Sequence, residues 1–259
     1  MASTGCAVTG IERAVERSIE DMKRRLSEPL SIDDMARFAM YSKFHFSREF
    51  QRITGISPRR FLSALRIQEA KRLLLTTSMT VTEISSTVGY SSVGTFSSRF
   101  ASSVGLPPSA YRRLGGFVRK VNAAERGGAG GSVYGAVSAP VGADPGLIYL
   151  GLFPTRVPEG KPVSCTVLSR PGPFEIRDVP MGAWYLLGHS VPASAHEALT
   201  DDQAVHVGSV GPLEILPRVA RHRIDFRLRE VSVLDPPVLM ALQRVRSGTF
   251  TANLVKAAG

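Results

Sequence analysis

The sequence predicts a multidomain chain, all-α in its N-terminal part and all-β, sandwich-like, in its C-terminal part. Three observations predict it. A pattern of Phe, Gly and Pro recurs once at an offset of 50 residues. The positive charge is concentrated before residue 122. Beyond a Gly-rich stretch, the apolar rhythm changes from helical spacing to short runs broken by Gly and Pro.

The helical part begins with a stripe of Ile11, Val15, Ile19, Met22 and Leu26, one face of an amphipathic helix that Pro29 ends. Ser31 offers an N-cap, and Asp33 and Asp34 fall in the first turn, where the helix dipole favours negative charge. Met35 and Ala36 face inward. A further helix over about 43–53 is closed by Gly55. Ser57-Pro58 opens a longer helix with an apolar face of Phe61, Leu62, Leu65, Ala70, Leu73 and Leu74. Its basic face carries Arg59, Arg60, Arg66, Lys71 and Arg72. Thr80 caps a short helix with Val81, Ile84 and Val88. Gly89 breaks it, and a helix over about 92–104 ends at Gly105.

The repeat joins these elements. Phe46, Phe50, Gly55 and Pro58 are matched by Phe96, Phe100, Gly105 and Pro108, and Ala36 by Ser85. Each copy reads as a capped helix, a tight turn and a second helix anchored by Phe at i and i+4, which is a helix-turn-helix. The anchors leave the opposite face outward. In the first copy that face carries Phe44, Ser47 and Arg48, with Lys43 and Gln51 at its edges. In the second it carries Gly94, Ser97 and Ser98, with Thr95 and Arg99 beside them.

The spacing predicts a double helix-turn-helix domain over 8–116, a Gly-rich linker over 117–139 and a β-sandwich-like companion domain over 140–247. Strands are expected at Leu147–Phe153, 163–168, 173–176, 184–189, 204–207, 213–216 and 223–231, with a last helix from Pro236 to about Val245.

The chain has 259 residues, 43% of them hydrophobic, enough for two domains each with a core. The formal net charge is +10. Through Val121 there are 19 Lys and Arg against 10 Asp and Glu; beyond it the balance is 13 against 12. A basic half beside a near-neutral half suits a polyanionic partner for the first part. Cys6 and Cys165 stand in unrelated contexts, so no disulfide framework is expected and a reducing cytoplasm fits. No apolar run approaches the ~18 residues of a membrane span. The first residues have neither basic flank nor apolar core, so a signal peptide is not expected.

The stretches Met35-Ala36, Tyr41-Ser42, Phe46–Phe50 and Gly55–Pro58 resemble the DNA-binding domain of the AraC/XylS family. So do Arg66, Ala70 and Leu73-Leu74, then Gly89–Ser91, Phe96–Phe100, Gly105–Pro108 and Tyr111-Arg112. The resemblance covers Ile11 to Arg113. It implies a transcription regulator whose two recognition helices enter successive major-groove segments, about 34 Å apart. Arg48 is then the leading base reader, since its planar fork pairs bidentately with guanine. Ser47 can donate or accept. Phe44 either meets a thymine methyl or closes the core edge. Lys43, Arg52, Arg59, Arg60, Arg112 and Arg113 are candidates for phosphate contacts. In the second unit Gly94, Thr95, Ser97, Ser98 and Arg99 face the duplex. Ser98 stands where the family often has Arg, so this helix suits positioning more than reading. Promoter DNA is the implied partner, RNA polymerase and a small-molecule effector are further candidates, and monomer and homodimer both stay open.

In the C-terminal part, 151–153, 158–162 and 173–185 resemble transthyretin-like, carboxypeptidase-regulatory β-sandwiches. In the AraC/XylS family the companion domain senses a ligand or dimerises, and usually precedes the DNA-binding domain; here it follows. Trp184 and Tyr185 are the candidate effector pocket, with sandwich core as the alternative. A ligand-independent docking or dimerisation module is the competing role. No cofactor and no metal are expected: His189, His196 and His206 fall in or beside one long loop without ligand spacing. No enzyme is expected either. A repair methyltransferase would need a reactive cysteine in a Pro-Cys-His setting, and Cys165 lies in Ser-Cys-Thr.

Overall fold

The computed structural model describes residues 10–118, 130–191, 204–216 and 221–243. The helices are α1 (Gly10–Arg24), α2 (Ile32–Ala39), α3 (Lys43–Thr54), α4 (Pro58–Thr76), α5 (Val81–Thr87), α6 (Val93–Val104) and α7 (Pro108–Arg113). Their starts follow from local chemistry. Ser31 and Asp34 cap each other's backbone N–H groups at α2, and Thr80 and Glu83 do the same at α5. The repeat therefore extends to the capping boxes. Ser42, Ser57 and Ser92 cap α3, α4 and α6. Gly55 and Gly105 end α3 and α6 in the left-handed conformation.

Two hydrophobic clusters fill the helical part. The first gathers α1, α2, α3 and the start of α4 around Phe46, Phe50 and Phe61. The second gathers the rest of α4 with α5, α6 and α7 around Phe96, Phe100 and Tyr111. The rings repeat as well: Phe50 meets Phe61 edge-on at 5.4 Å, and Phe100 meets Tyr111 at 5.6 Å. Both clusters draw on α4, which buries Ala64 and Ile67 in addition to its expected apolar face.

The turns of the two units differ. Met40 takes the left-handed conformation between α2 and α3, and Gly89 takes it between α5 and α6. At Gly89 the space decides the residue. A Cβ there would lie 2.4 Å from the Leu26 carbonyl oxygen and 2.8 Å from the Arg66 guanidinium. Arg66 in turn donates to the carbonyls of Leu26 and Glu28 at 2.9 and 2.7 Å. The second turn is thus seated on the end of α1.

The sheet-rich region holds β1 (Phe117–Val118), β2 (Gly131–Ser138), β3 (Leu147–Phe153), β4 (Ser164–Leu168), β5 (Gly172–Val179) and β6 (Gly182–Val191). It continues with β7 (His206–Ile215), β8 (Arg221–Arg223), β9 (Phe226–Arg227), β10 (Arg229–Glu230) and β11 (Leu242–Gln243). One antiparallel sheet runs β10-β7-β6-β3-β4; a second, mixed sheet runs β5-β2-β8, with β8 and β9 both parallel to β2. Both sheets supply one cluster, including Val133, Leu150, Ile176, Leu186 and Phe226. Gly188 and Gly208 face each other across β6 and β7, and a Cβ on either would lie within 2.8 Å of the Phe226 ring. Bare backbone there makes room for the ring.

Several expectations are corrected. β1, paired with β11, and β2 both lie inside the stretch expected to be linker, and the two larger sheets begin at Gly131. The runs at 204–207 and 213–216 belong to a single strand, β7, and 223–231 breaks into short strands. No helix forms over 236–243; there the N–H groups of Leu239 and Met240 reach the Pro158 carbonyl and that of Ala241 reaches the Val104 carbonyl. Backbone bonded outward cannot also bond to itself. His189 and His206 are not loop residues but lie buried in β6 and β7, His206 beside the Ser190 hydroxyl at 3.1 Å. His196 and residues 244–247 lie outside the described residues. Among the described residues, no helix is long and apolar enough to cross a membrane.

Two predictions follow from these contacts. Gly89→Ala should destabilise the protein by about 2–4 kcal/mol in urea unfolding, since strain and a backbone clash add. Gly94→Ala, with only the Ser92 hydroxyl at 3.8 Å, should be neutral or slightly stabilising. His189 stacks on Tyr149, and among the described residues its Nε2 has no hydrogen-bond partner. Burial, then the charge of Lys71, pushes it down to about 3 from 6.5. Between these values the unfolded chain binds a proton that the folded chain refuses. Stability should therefore fall as pH drops from 6.5 toward 3, by up to ~1.4 kcal/mol per unit. His189→Leu should remove that part of the slope in unfolding curves taken across the window.

Candidate nucleic-acid interface

The caps and Phe anchors determine which way α3 and α6 face. With Phe46 and Phe50 fully buried, Phe44 and Arg48 come out on the opposite side. Phe44 is 80% exposed and the Arg48 side chain 76%. The sequence left Phe44 between core edge and surface; the structure puts it on the surface, with the Lys43 ammonium 5.6 Å from its ring. Lys43 also lies 3.6 Å from Asp33, and Arg52 pairs with Glu49 at 2.8 Å. Ser47 is half-buried on the flank. His45, which the sequence reading passed over, sits between the Tyr41 ring at 5.1 Å and the Arg48 guanidinium at 3.4 Å. Its place one turn before Arg48 was the available signal.

On α6, Gly94, Thr95 and Ser98 are exposed and Ser97 is half-buried. Val93, also missed, is 42% exposed at the head of the same face. This second face is small and uncharged. Arg99 is not part of it. Its guanidinium turns back to the Ser63 hydroxyl at 3.1 Å and to the Glu159 carboxylate at 3.1 Å.

The other arginines divide into two groups. Arg59 and Arg113 are exposed, with no hydrogen bond or ion pair among the described residues. Arg60 is held by Thr155 at 3.3 Å and by Glu159. Arg112 donates to the carbonyls of Leu74, Thr77 and Met79 at 2.9, 3.4 and 2.6 Å, so it closes the end of α4. The expected basic face of α4 is not one surface: Arg66 serves the end of α1, Arg72 pairs with Glu69, and Lys71 is 2% exposed beside the Val238 carbonyl.

Trp184 and Tyr185 do not converge. Trp184 packs against the cluster shared by the sheets and donates to the Pro180 carbonyl at 2.8 Å. Tyr185 packs against Phe153, Leu187, Val238 and Met240. A cavity of about 410 Å³ lies elsewhere, between α1, α4 and 231–238, walled by Phe61, Leu65, Val233 and Val238 among others. Cys165 is half-buried on β4, and burial pushes its thiol up, away from the reactive thiolate. Among the described residues no three His, Cys, Asp or Glu gather as metal ligands.

Comparison with known proteins agrees with this geometry. A family profile described as a helix-turn-helix domain matches residues 35–114. An uncharacterised HTH-type transcriptional regulator of Bacillus subtilis, YobQ, is 35% identical over 95 residues, 37% of this chain and 39% of its own length. The Tn10 TetD protein of Escherichia coli is 33% identical over 92 residues, 36% of this chain and 67% of its own length. This chain belongs to the AraC-type helix-turn-helix family. An AraC-type regulator structure from Chromobacterium violaceum is 28% identical, covering 40% of this chain and 94% of that one, with a TM-score of 0.38. The match to the AraC-type domain stops at residue 114, so the sheets lie outside it. The chain spans well under half of the Bacillus regulator.

Within the AraC-type domain, adjacent arginines should behave differently. Arg112→Ala should cost about 2–3 kcal/mol in thermal or urea unfolding, because it strands three carbonyls at the end of α4. Arg113→Ala should change stability by less than about 0.5 kcal/mol.

Proposed function

We propose that this protein is a sequence-specific DNA-binding transcription regulator that reads two adjacent major-groove segments with α3 and α6. The observation that carries it is the pair of Phe-anchored helices that turn Phe44 and Arg48 on α3, and Gly94, Thr95 and Ser98 on α6, outward, while Arg60, Arg99 and Arg112 are occupied inside the fold. On α3, Arg48 reads guanine, Ser47 and His45 flank it, Phe44 packs on thymine methyls, and Lys43 and Arg52 meet phosphates. On α6, Gly94, Thr95, Ser97 and Ser98 allow close approach and contribute less discrimination. Arg59 and Arg113 are the available phosphate contacts, in place of the occupied Arg60 and Arg112. Bending of the duplex can bring both segments to the helices.

The domain boundaries proposed are 10–118 for the reading domain and 131–243 for a sandwich-like companion, whose two sheets share one core. The companion either senses a small molecule or serves as a docking or dimerisation module. A small molecule that changes duplex affinity saturably supports the first role.

The deciding experiment is selection of bound duplexes from a random library by the purified full chain, alongside Arg48→Ala and Ser98→Ala. A bipartite motif with half-sites about one helical turn apart is expected. Arg48→Ala should relax one half by about 1–3 kcal/mol at one base pair, and Ser98→Ala should change the other half less. A salt-sensitive profile without any motif would overturn sequence-specific reading.

A further inference from the structure

The connection between β3 and β4 does not stay with its sheet. It crosses to the helical part and touches both units in the same place. Arg156 lies against Gly55, the C-cap of α3, and Lys161 lies against Gly105, the C-cap of α6; a Cβ on either glycine would be 3.5 Å from that side chain. Between them Val157 is buried in the first helical cluster. The Gly160 N–H donates to the Ser103 carbonyl on α6. At the centre stands Glu159, its side chain 15% exposed. One carboxylate oxygen accepts from Arg60 at the start of α4. The other accepts from Arg99 on α6 at 3.1 Å and from the Ser103 hydroxyl at 3.4 Å. Leu239 N–H bonds the Pro158 carbonyl and Ala241 N–H bonds the Val104 carbonyl, so 239–241 backs the crossing.

We infer that the segment 155–161 is a strap that sets the separation of α3 and α6, with Glu159 as its positioning residue. The inference that this separation matters for spacing on DNA rests on the proposed two-helix reading; the mechanical part does not. The physical reason is charge. Arg60 and Arg99 belong to different units and are brought to one point. With Glu159 ionised between them they attract a common centre; without it two like charges face each other across a half-buried notch. Removing the carboxylate loosens a charged tie that spans the two C-cap ends. A duplex demands the two helices at a defined separation, so a loosened pair tolerates more than one spacing.

The test uses the full chain with Cys6→Ser and Cys165→Ser, carrying nitroxides at Gln51→Cys on α3 and Ser102→Cys on α6. Pulsed dipolar spectroscopy on the Glu159 protein should give a narrow distance distribution. In Glu159→Gln its width should grow about twofold, and Glu175→Gln, an acid on β5, should leave it unchanged. Glu159→Asp, which keeps the charge on a shorter arm, should fall between, and it decides the matter if Glu159→Gln fails to fold. On DNA, the affinity ratio between the best-spaced duplex and one with an inserted base pair should drop about tenfold in Glu159→Gln, with single half-site affinity preserved. An unchanged width overturns the strap whatever DNA does. A broadened width with an unchanged ratio overturns its role in spacing. If the wild type shows no site-specific binding, the functional proposal fails, and the strap still stands or falls on the width.

Discussion

The arrangement of the helical half depends on the close approach of Gly89, the end of α1 and the guanidinium of Arg66. Arg66 leaves α4 and donates to the Leu26 and Glu28 carbonyls in the turn that follows α1. The second turn then closes over this junction at a distance only glycine permits. The Arg66 guanidinium also lies 5.9 Å from the Tyr90 ring, so the same side chain touches both units. The two-unit frame follows: α4 can serve as a shared wall because the elements on its two sides are pinned to each other as well as to it.

This frame changes the meaning of the basic composition. A surplus of arginine suggests a polyanion-binding surface, but much of it here is internal hardware. Arg66 and Arg112 cap carbonyls, Arg60 and Arg99 share one carboxylate, and Lys71 lies buried against a carbonyl from the sheet-rich region. An always-charged planar fork suits such duty, since it brings several donors in a fixed geometry. Other basic residues stay outward, among them a short set on α3, Arg59 and Arg113, and Arg13, Arg17, Lys23, Arg24 and Arg37 on α1 and α2.

The helical elements were legible because their signals are local. Caps, Gly ends and the i, i+4 Phe pairs all act within a few residues, and the repeat at 50 checks each against its copy. The roles of the arginines were not legible, because spacing gives a side chain's face but not its partner. Glu159 lies 99 residues from Arg60 and 60 from Arg99. Strand β2 hid because its Gly-rich start resembles linker; its pairing with β5, not its composition, makes it a strand. The segment after Pro236 reads as a helix by apolar spacing, yet its N–H groups are claimed by the Pro158 and Val104 carbonyls. Trp184 and Tyr185 are neighbours in sequence, and alternation along a strand sends them to opposite faces.

The apolar floor of the helical half is completed by residues from far downstream: Val157 enters its first cluster, and Leu239 and Ala241 enter its second. A chain emerging from the ribosome makes every helix of this half well before those three residues exist. Until they arrive, the nascent helical half carries open apolar sockets at both clusters, a state prone to capture by chaperones or by other exposed chains. The helical half is therefore sealed late: segments between the later strands close what the first helices began.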